Sequence, residues 1–349
     1  MINIHKNFKL NSNNYNKKEL LYFASCNIQN NDVDLYDLSV FILEIFNIES
    51  YVLCKTSGST GIPKDIKLEK SSLLSSVYMT RDYFNLKPNQ SAVSFLPMNF
   101  IAGKMMLLRS MVIGLDLQLF NPTSNPSELI DKNYFFSAMT PMQAYNSISK
   151  LKFINTLILG GTDVSNSLRS RILSKIDTYY ETYGMTETAS HIAIKKVSKN
   201  NQLITNFKVL DGVTISKNSN NCLTIEAPAI SSNIIITNDI VEIISTNEFS
   251  VIGRKDNIIN SGGVKLVPEE IERKLSKYIY KNFIISSIKD EILGDKVILI
   301  IESEKYKLKK EVFNYLNKFE KPKQIYFISK FIYTKSNKID RISTKQTIN

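Results

Sequence analysis

The sequence has little cysteine and no long apolar run. Its three cysteines, Cys26, Cys54 and Cys222, lie far apart and form no CxxC pair, so neither a disulfide framework nor a zinc site is indicated. No stretch approaches the roughly 18 to 20 apolar residues that span a bilayer, and the first residues are polar, unlike a signal peptide. We therefore expect a cytoplasmic protein without a membrane span.

The balance of charge is basic. The 349 residues are 43% hydrophobic and 22% charged, with a formal net charge of +11, which is the composition of a globular protein large enough for two domains. Lysines and arginines are spread along the chain among acidic residues, and no RNP, zinc-finger or helix-turn-helix signature occurs. These features favour anionic small molecules over nucleic acids as ligands.

Short apolar runs alternate with amphipathic stretches between about Ser91 and Gly161. The runs SAVSFL, LDLQLF, YFFSAMT and NTLILGG predict strands, and IAGKMMLLRSMVIG, SELIDK and MQAYNSISKL predict helices. Near the start of the chain, DLSVFILEIF predicts a further amphipathic helix. This βαβ rhythm favours a mostly parallel sheet covered by helices, with ligand loops at the carboxyl ends of the strands.

The pattern changes after about Lys195, where short β-rich runs separated by Asn, Ser and Gly turns predict a small β subdomain. A compact unit follows, with predicted helices VPEEIERKLSKY and KKEVFNYLNKF and predicted strands NFIISSIKD, KVILIIES and QIYFI. The expected fold is therefore α/β, with a large N-terminal domain of mostly parallel sheets over residues 1–255 and a small, mobile α+β C-terminal domain over residues 256–349.

A loop rich in hydroxyl groups and glycines follows the apolar run YVLC. It consists of Thr56, Ser57, Gly58, Ser59, Thr60, Gly61, Ile62, Pro63 and Lys64. Small residues let backbone N–H groups approach phosphate oxygens, and the lysine supplies a cation. The loop is not a Walker A motif, because its two glycines are three residues apart and a proline precedes the lysine. The alternative is an ordinary flexible Ser/Gly loop.

A second candidate site follows the predicted strand DTYYETY, in the residues Tyr183, Gly184, Met185, Thr186, Glu187 and Thr188. Magnesium needs only one or two carboxylates when phosphate oxygens and water complete its shell, so Glu187 alone is sufficient as a protein ligand. The alternative is a polar turn.

Taken together, these segments resemble the superfamily of acyl-CoA synthetases, peptide-synthetase adenylation domains and luciferases. The phosphate-loop signature matches TSGSTGIPK, and the YGxTE motif matches YGMTET. Further matches follow in the family's order from Gly160-Gly161 through ITNDI and GRKDNIINSGGVKLVPEEIE to TKSNKIDR, so the resemblance extends from Thr56 to Arg341.

The resemblance implies a role for each matching residue. In the N-terminal part, the loop at 56–64 binds the phosphates of ATP, Gly160 and Gly161 line the adenine and acyl pockets, Thr186 contacts the adenylate phosphate, and Glu187 holds Mg²⁺. Further along, the implied roles are the ribose for Asp239 and Arg254, the hinge for Asp256, the coenzyme A tunnel for Gly262 and Gly263, and adenylation for Lys338.

Some positions depart from the family pattern. Asn238 and Asn337 replace glycines, Phe100 stands where histidine is usual, and fewer residues precede the phosphate loop than in typical members. The short N-terminal region implies either a compact branch of the family or a partly dispensable N-terminal subdomain.

The segment LPMNFIAGKMMLLRS resembles the LPLFHISGxxxLxRS region of o-succinylbenzoate:CoA ligases, which act in menaquinone biosynthesis. Arg109 falls in register with the arginine of that pattern. Because this substrate has two carboxylates and only one is activated, Arg109 could bind the other by a bidentate pair. The alternative is a solvated surface arginine.

We interpret the chain as an AMP-forming acid:CoA ligase that takes ATP, coenzyme A and a carboxylic acid, with o-succinylbenzoate as the expected acid. The alternatives are another aryl- or fatty-acid:CoA ligase, a stand-alone adenylation enzyme, or a non-catalytic nucleotide-binding protein. His191 is interpreted as a packed strand residue and not as a general base. The oligomeric state stays open, with a homodimer among the options.

Overall fold

The computed structural model describes residues 2–29, 32–55, 64–200, 206–304, 307–334 and 339–348. Contacts divide the chain into two compact units. The first contains residues 1–164, 168–214 and 226–235, and the second contains residues 165–167, 215–225 and 236–349. Within the described ranges, no helix combines the length and the apolarity that crossing a membrane requires.

The helices and strands are numbered in chain order. The helices are α1 (Lys17–Asn27), α2 (Val33–Phe46), α3 (Lys70–Phe84), α4 (Ile101–Ile113), α5 (Pro141–Asn146), α6 (Asn166–Leu173), α7 (Pro268–Leu275) and α8 (Arg341–Gln346). Short 3-10 turns lie at Ser127–Leu129, Leu151–Phe153, Thr186–Thr188, Lys255–Asn257 and Lys310–Tyr315.

The strands up to residue 217 are β1 (Lys9–Leu10), β2 (Asn13–Asn14), β3 (Tyr51–Lys55), β4 (Asp65–Glu69), β5 (Ser91–Ser94), β6 (Asp116–Leu119), β7 (Tyr134–Met139), β8 (Ile154–Leu159), β9 (Thr178–Gly184), β10 (His191–Ser198), β11 (Phe207–Val209) and β12 (Thr214–Lys217). The later strands are β13 (Cys222–Glu226), β14 (Ile235–Ser245), β15 (Glu248–Arg254), β16 (Ile259–Ser261), β17 (Val264–Leu266), β18 (Phe283–Asp290), β19 (Gly294–Glu302) and β20 (Gln324–Ile328).

The main sheet of the first unit is mostly parallel, as the βαβ rhythm predicts. Its strand order is β11-β10-β9-β8-β7-β5-β6-β1-β2. The pairs from β9 through β8, β7, β5 and β6 to β1 are all parallel, and β10 returns antiparallel beside β9. Consequently the ends of β5, β7, β8 and β9 meet at one edge, where ligand loops of α/β sheets lie.

The core of this sheet explains why its strands read as nearly continuous apolar runs. Val93, Tyr134, Leu157 and Tyr179 come from four neighbouring strands and belong to one buried cluster with Leu168 of α6. Strands of a parallel sheet are covered on both faces, so they lack the polar alternation of half-exposed strands.

The second unit contains the strands β12-β13-β14-β15 and a separate sheet ordered β17-β16-β19-β18, with β20 parallel to β19. Side chains of β19 alternate between two cores. Val297, Leu299 and Ile301 join one buried cluster, whereas Ile298 and Ile300 join another. This period of two is that of a strand covered on both faces, and the large parallel sheet with a smaller α+β part confirms the predicted fold class.

Two predicted helices are wrong. The stretch SELIDK forms only the three-residue turn Ser127–Leu129, since a short polar stretch offers too few hydrogen bonds to offset helix nucleation. KKEVFNYLNKF forms a 3-10 turn, with Val312 N donating to Lys309 O and Leu316 N to Phe313 O, each at 3.2 Å. The two asparagines of this stretch favour turns over helix interiors.

The predicted domain boundary at 255/256 stays a prediction. Contacts group residues 236–254 with the C-terminal part, but the predicted boundary concerns the point about which a domain rotates. The contact-based units therefore do not test the predicted rotation point.

Helix α4 supplies a test of the packing. A Cβ added to Gly103 would lie 2.3 Å from the backbone oxygen of Pro97, so the loop that follows β5 can approach α4 only because this residue has no side chain. We expect Gly103→Ala to lower the free energy of unfolding by about 2 kcal/mol, as overpacking does. Urea unfolding checks this, with the exposed neighbour substitution Ala102→Ser as the control; equal stability of both variants would contradict the predicted clash.

Candidate active site

Part of the predicted site lies outside the described residues. This holds for Thr56, Ser57, Gly58, Ser59, Thr60 and Gly61, and for Asn337 and Lys338. The strands on either side of the predicted phosphate loop are described: β3 ends at Lys55, β4 begins at Asp65, and these two residues are directly paired. Lys64, the last residue of the loop, is exposed.

Lys104 of α4 binds the backbone of β3, a contact that the sequence did not indicate. Its ammonium is buried, donates to the backbone oxygen of Leu53 at 2.9 Å and lies 3.6 Å from the carboxylate of Glu44. Since Leu53 belongs to β3, α4 holds the strand from which the loop departs.

The glycine pair at the end of β8 lies at the predicted edge of the sheet. The N–H of Gly160 donates to Met139 O at 3.1 Å, which ties this loop to the end of β7. A Cβ on Gly160 would lie 2.7 Å from Thr182 Oγ1, and Gly161 has a φ of +93°. Position 160 therefore needs glycine for close approach and position 161 needs it for its backbone conformation.

The turn between β9 and β10 contains the second motif. The backbone at Gly184 packs closely against Ser190, since a Cβ on Gly184 would lie 2.3 Å from the backbone oxygen of Ser190. That same oxygen accepts from Thr188 Oγ1 at 2.7 Å, and Ala189 adopts a positive φ of 57°. The sharp turn places Thr186 in a buried position and Glu187 in an exposed one.

An exposed carboxylate at Glu187 suits a magnesium ion that arrives with phosphate groups. Magnesium keeps most of its shell from water and phosphate and takes one or two protein carboxylates. In the described part of the chain, no group of three His, Cys, Asp or Glu side chains could hold a metal ion on its own. The donor set therefore fits magnesium shared with a nucleotide.

Arg109 lies in the interior and not on the surface. It is only 2% exposed, and its Nη2 donates to Ser190 Oγ. Burial lowers the pKa of the guanidinium to about 9. Its Nε is buried without a hydrogen-bond partner, and no carboxylate among residues that the structure describes forms an ion pair with it. The surface alternative for Arg109 is thereby excluded, and within the described ranges its positive charge lies buried without a counter-charge.

His191 is the first residue of β10 and is buried, as its interpretation as a packed strand residue predicts. Its Nδ1 lies 3.3 Å from Ser190 Oγ, and its Nε2 lies 3.3 Å from Thr80 Oγ1 of α3. Burial, and then the charge of Arg109, lower the pKa of the imidazole well below 6.5. The contacts of Ser190 and Thr80 had no signal in the sequence, because their partners lie on distant elements.

In the second unit, both predicted ribose ligands lie together. Asp239 and Arg254 are paired across β14 and β15, and Arg254 Nη1 donates to Asp239 Oδ1 at 3.0 Å. Arg254 also donates to Asp256 at 3.0 Å. Asn238, one of the departures from the family pattern, donates from its side-chain amide to Asp256 at 3.2 Å. The residue that replaces a glycine thus contacts the predicted hinge.

Gly262 and Gly263 form the turn between β16 and β17. Their φ angles are +58° and +80°, and two consecutive positive values are what a tight two-residue hairpin requires. The structure therefore gives the pair a turn-forming reason, and its predicted place along a coenzyme A tunnel stays a prediction.

Arg341, which ends the last motif, is held firmly. Its two terminal nitrogens donate to Glu272 at 2.8 and 2.6 Å, and the backbone N–H of Ile285 donates to the same carboxylate at 2.6 Å. This bidentate pair fixes the start of α8 against α7 and β18.

A family model described as "AMP-binding enzyme" matches residues 47–210 of the chain. Among solved structures, the acyl-CoA synthetase (AMP-forming)/AMP-acid ligase II-like protein from Dyadobacter fermentans is 30% identical to this chain. The match covers 93% of this chain and 97% of that protein, with a TM-score of 0.60.

Two further relatives share a described activity. The 2-succinylbenzoate–CoA ligase of Geobacillus sp. (strain WCH70) is 25% identical over 84% of this chain and 68% of the ligase. The O-succinylbenzoate coenzyme A synthetase of Bacillus subtilis, solved in complex with ATP and magnesium ion, is 19% identical and covers 84% of this chain and 69% of its own, with a TM-score of 0.73. The second likeness is one of fold.

The buried imidazole predicts a pH dependence of stability. Above pH 6.5, His191 is neutral in both the folded and the unfolded chain. Below pH 6.5, the unfolded chain binds a proton that the folded chain does not, so the free energy of unfolding decreases as the pH is lowered. We expect this one group to remove about 1.4 kcal/mol near pH 5.5 relative to pH 7.5. Urea unfolding of wild type and His191→Asn at both pH values measures it; an identical pH dependence for the two proteins would contradict the lowered pKa.

Proposed function

The chain belongs to the AMP-binding family of adenylate-forming enzymes, and we propose that it joins a carboxylic acid to coenzyme A through an acyl-adenylate. The acid that the site supports best is o-succinylbenzoate, which would place the enzyme in menaquinone biosynthesis. ATP and coenzyme A are the other reactants, and magnesium is the proposed cofactor.

The buried charge of Arg109 carries the choice of acid. An arginine in the interior loses its hydration, and this cost is offset only when an anion or several hydrogen-bond acceptors approach it. Within the ranges that the structure describes, Ser190 alone accepts from it. A substrate with a second, non-reacting carboxylate supplies the missing counter-charge in the planar geometry that guanidinium groups favour. A fatty acid or benzoate would leave the charge uncompensated.

In the proposed first step, a carboxylate oxygen of the acid attacks the α-phosphorus of ATP, and the bond to the leaving pyrophosphate breaks. Lys338 positions the attacking carboxylate and balances the charge on the α-phosphate. The loop at 56–64 binds the phosphates, with Thr186 beside them, and Asp239 and Arg254 bind the ribose. Glu187 would hold magnesium, which when bound offsets the negative charge of the phosphates.

In the proposed second step, the sulfur of coenzyme A attacks the acyl carbon and AMP leaves. Rotation of the C-terminal part about Asp256 would withdraw Lys338 between the two steps, with Gly262 and Gly263 along the path of coenzyme A. The chain's own groups thus bind and orient both reactants, and the energy of ATP is carried by the mixed anhydride.

Thioester formation tests the proposed reaction. Wild type should form a thioester from o-succinylbenzoate, ATP and coenzyme A with much higher kcat/KM than from benzoate or octanoate. Lys338→Ala should lose at least 100-fold in substrate-dependent pyrophosphate exchange, because the adenylation step loses its cation, while preformed acyl-adenylate should still react with coenzyme A.

Other outcomes distinguish the alternatives. Preference for another acid would replace the substrate and keep the mechanism. Transfer to a carrier protein but not to coenzyme A would identify a stand-alone adenylation enzyme. Binding of ATP without pyrophosphate exchange for any acid would favour a non-catalytic nucleotide-binding protein.

Removal of the Arg109 side chain tests the choice of acid. Arg109→Met should raise the KM for o-succinylbenzoate about 100-fold, since it removes the counter-charge of the second carboxylate. The matched substrates are 4-oxo-4-phenylbutanoate and 2-butanoylbenzoate, each of which lacks one of the two carboxylates; the one that remains a substrate should be affected far less. Because removing an unpaired buried charge does not destabilise a core, the melting temperature should stay equal or rise. A large loss of stability would instead indicate a structural arginine.

A further inference from the structure

Four polar groups form a hydrogen-bonded series in the interior of the first unit, here named the Arg109 relay: Thr80, His191, Ser190 and Arg109. Thr80 is 0% exposed, Arg109 2% and His191 7%. The series runs from α3 through the start of β10 to α4. It joins two helices to a strand that lies far from them in the sequence.

The direction of each hydrogen bond follows from what each group can donate. A guanidinium only donates, so Ser190 Oγ accepts from Arg109. At the other end, Thr80 Oγ1 donates to the backbone oxygen of Ser76 at 2.9 Å, which only accepts. Thr80 therefore has a lone pair and no proton for His191, whose Nε2 must carry the proton.

The direction of the hydrogen bond between Ser190 and His191 follows in the same way. With its proton on Nε2, the neutral imidazole has a lone pair on Nδ1, which accepts from the hydroxyl of Ser190 at 3.3 Å. The serine proton is thus turned toward His191, and the oxygen lone pairs are turned toward Arg109. One tautomer of one neutral histidine is therefore compatible with all three hydrogen bonds between these residues.

Electrostatic repulsion also favours the neutral form of the His191 imidazole. Among the residues that the structure describes, the groups that face the imidazole are Arg109 on α4, Thr80 on α3 and its own neighbour Ser190, and Arg109 is the charged one. A second proton on His191 would put two positive charges beside each other in the interior, which is costly in a medium of low dielectric constant. The neutral form is therefore the stable form of the relay.

We propose that His191 is a positioning residue that orients Arg109 for the non-reacting carboxylate of the acid. Fixing the Ser190 oxygen as an acceptor holds one Nη of Arg109, and the planar guanidinium then presents its remaining donors in a fixed direction. This inference rests on the proposed function, because it assigns to Arg109 the acid's second carboxylate. Thr80 supports the orientation of the imidazole from α3.

A double-mutant cycle tests the coupling of His191 to Arg109. His191→Leu removes both hydrogen bonds, whereas His191→Asn keeps an acceptor near the position of Nδ1. We expect His191→Leu to raise the KM for o-succinylbenzoate about tenfold relative to the KM for the one-carboxylate analogue that is a substrate, and His191→Asn to recover most of the loss.

In the Arg109→Met background, His191→Leu should add nothing further, because residues that act through one another are not additive. The KM for ATP should not rise together with the KM for o-succinylbenzoate in these variants. An equal effect on both acids, or additive effects of the two substitutions, would overturn the proposal and leave His191 with a packing role.

A second measurement is independent of catalysis. The chain has only two histidines, His5 and His191, so ¹⁵N-labelled histidine yields two imidazole spin systems, and His5→Gln assigns them. At about pH 7 the His191 ring should show a protonated Nε2 and an unprotonated Nδ1, and Ser190→Ala should shift the Nδ1 resonance most. A protonated Nδ1, or an imidazolium, would overturn the relay.

The two experiments separate the two proposals. If wild type forms no adenylate with any acid, the proposed function fails, and the imidazole resonances still decide the relay. If wild type is active with o-succinylbenzoate and the cycle is additive, the relay fails and the proposed function stands.

Discussion

Because Gly184 has no side chain, the carbonyl oxygen of Ser190 can approach its backbone closely. A Cβ at this position would lie only 2.3 Å from that oxygen. This close approach lets β9 turn directly into β10, and much of the candidate site follows from it. The turn leaves Glu187 in solvent, buries Thr186 and brings Ser190 against Arg109. One steric constraint thus joins the residues assigned to the nucleotide with those assigned to the acid.

Local patterns predicted most of the fold of the first unit. The apolar runs between residues 91 and 161 became β5, β6, β7 and β8, and the helix over IAGKMMLLRSMVIG became α4, because burial on both faces of a parallel sheet leaves a strong apolar signal. The two wrong helices have weak local signals, and their conformation is decided by turn-forming residues. Fold class and motif order were therefore predictable, whereas short connecting elements were not.

The candidate site was predictable only where its residues adjoin one another in the sequence. The motifs around Gly160, Gly184 and Arg254 are contiguous, and the structure places each at the end of a strand. The contacts of Thr80, Lys104 and His191 join elements far apart in the chain, and no spacing in the sequence indicates them. The same reason made Arg109 ambiguous: a helix composed almost wholly of buried residues has no polar face by which a surface arginine can be told from a buried one.

The pairing of β3 with β4 separates the folding of this region from its binding chemistry. Lys55 and Asp65 are direct partners, and five residue pairs hold the two strands together, so both ends of the predicted phosphate loop are fixed. Doubling the length of such a loop costs only about 0.6 kcal/mol in closure entropy. Over evolutionary time, insertions there would be tolerated by the fold, and any restriction on the loop's length and composition must therefore come from selection on what it binds.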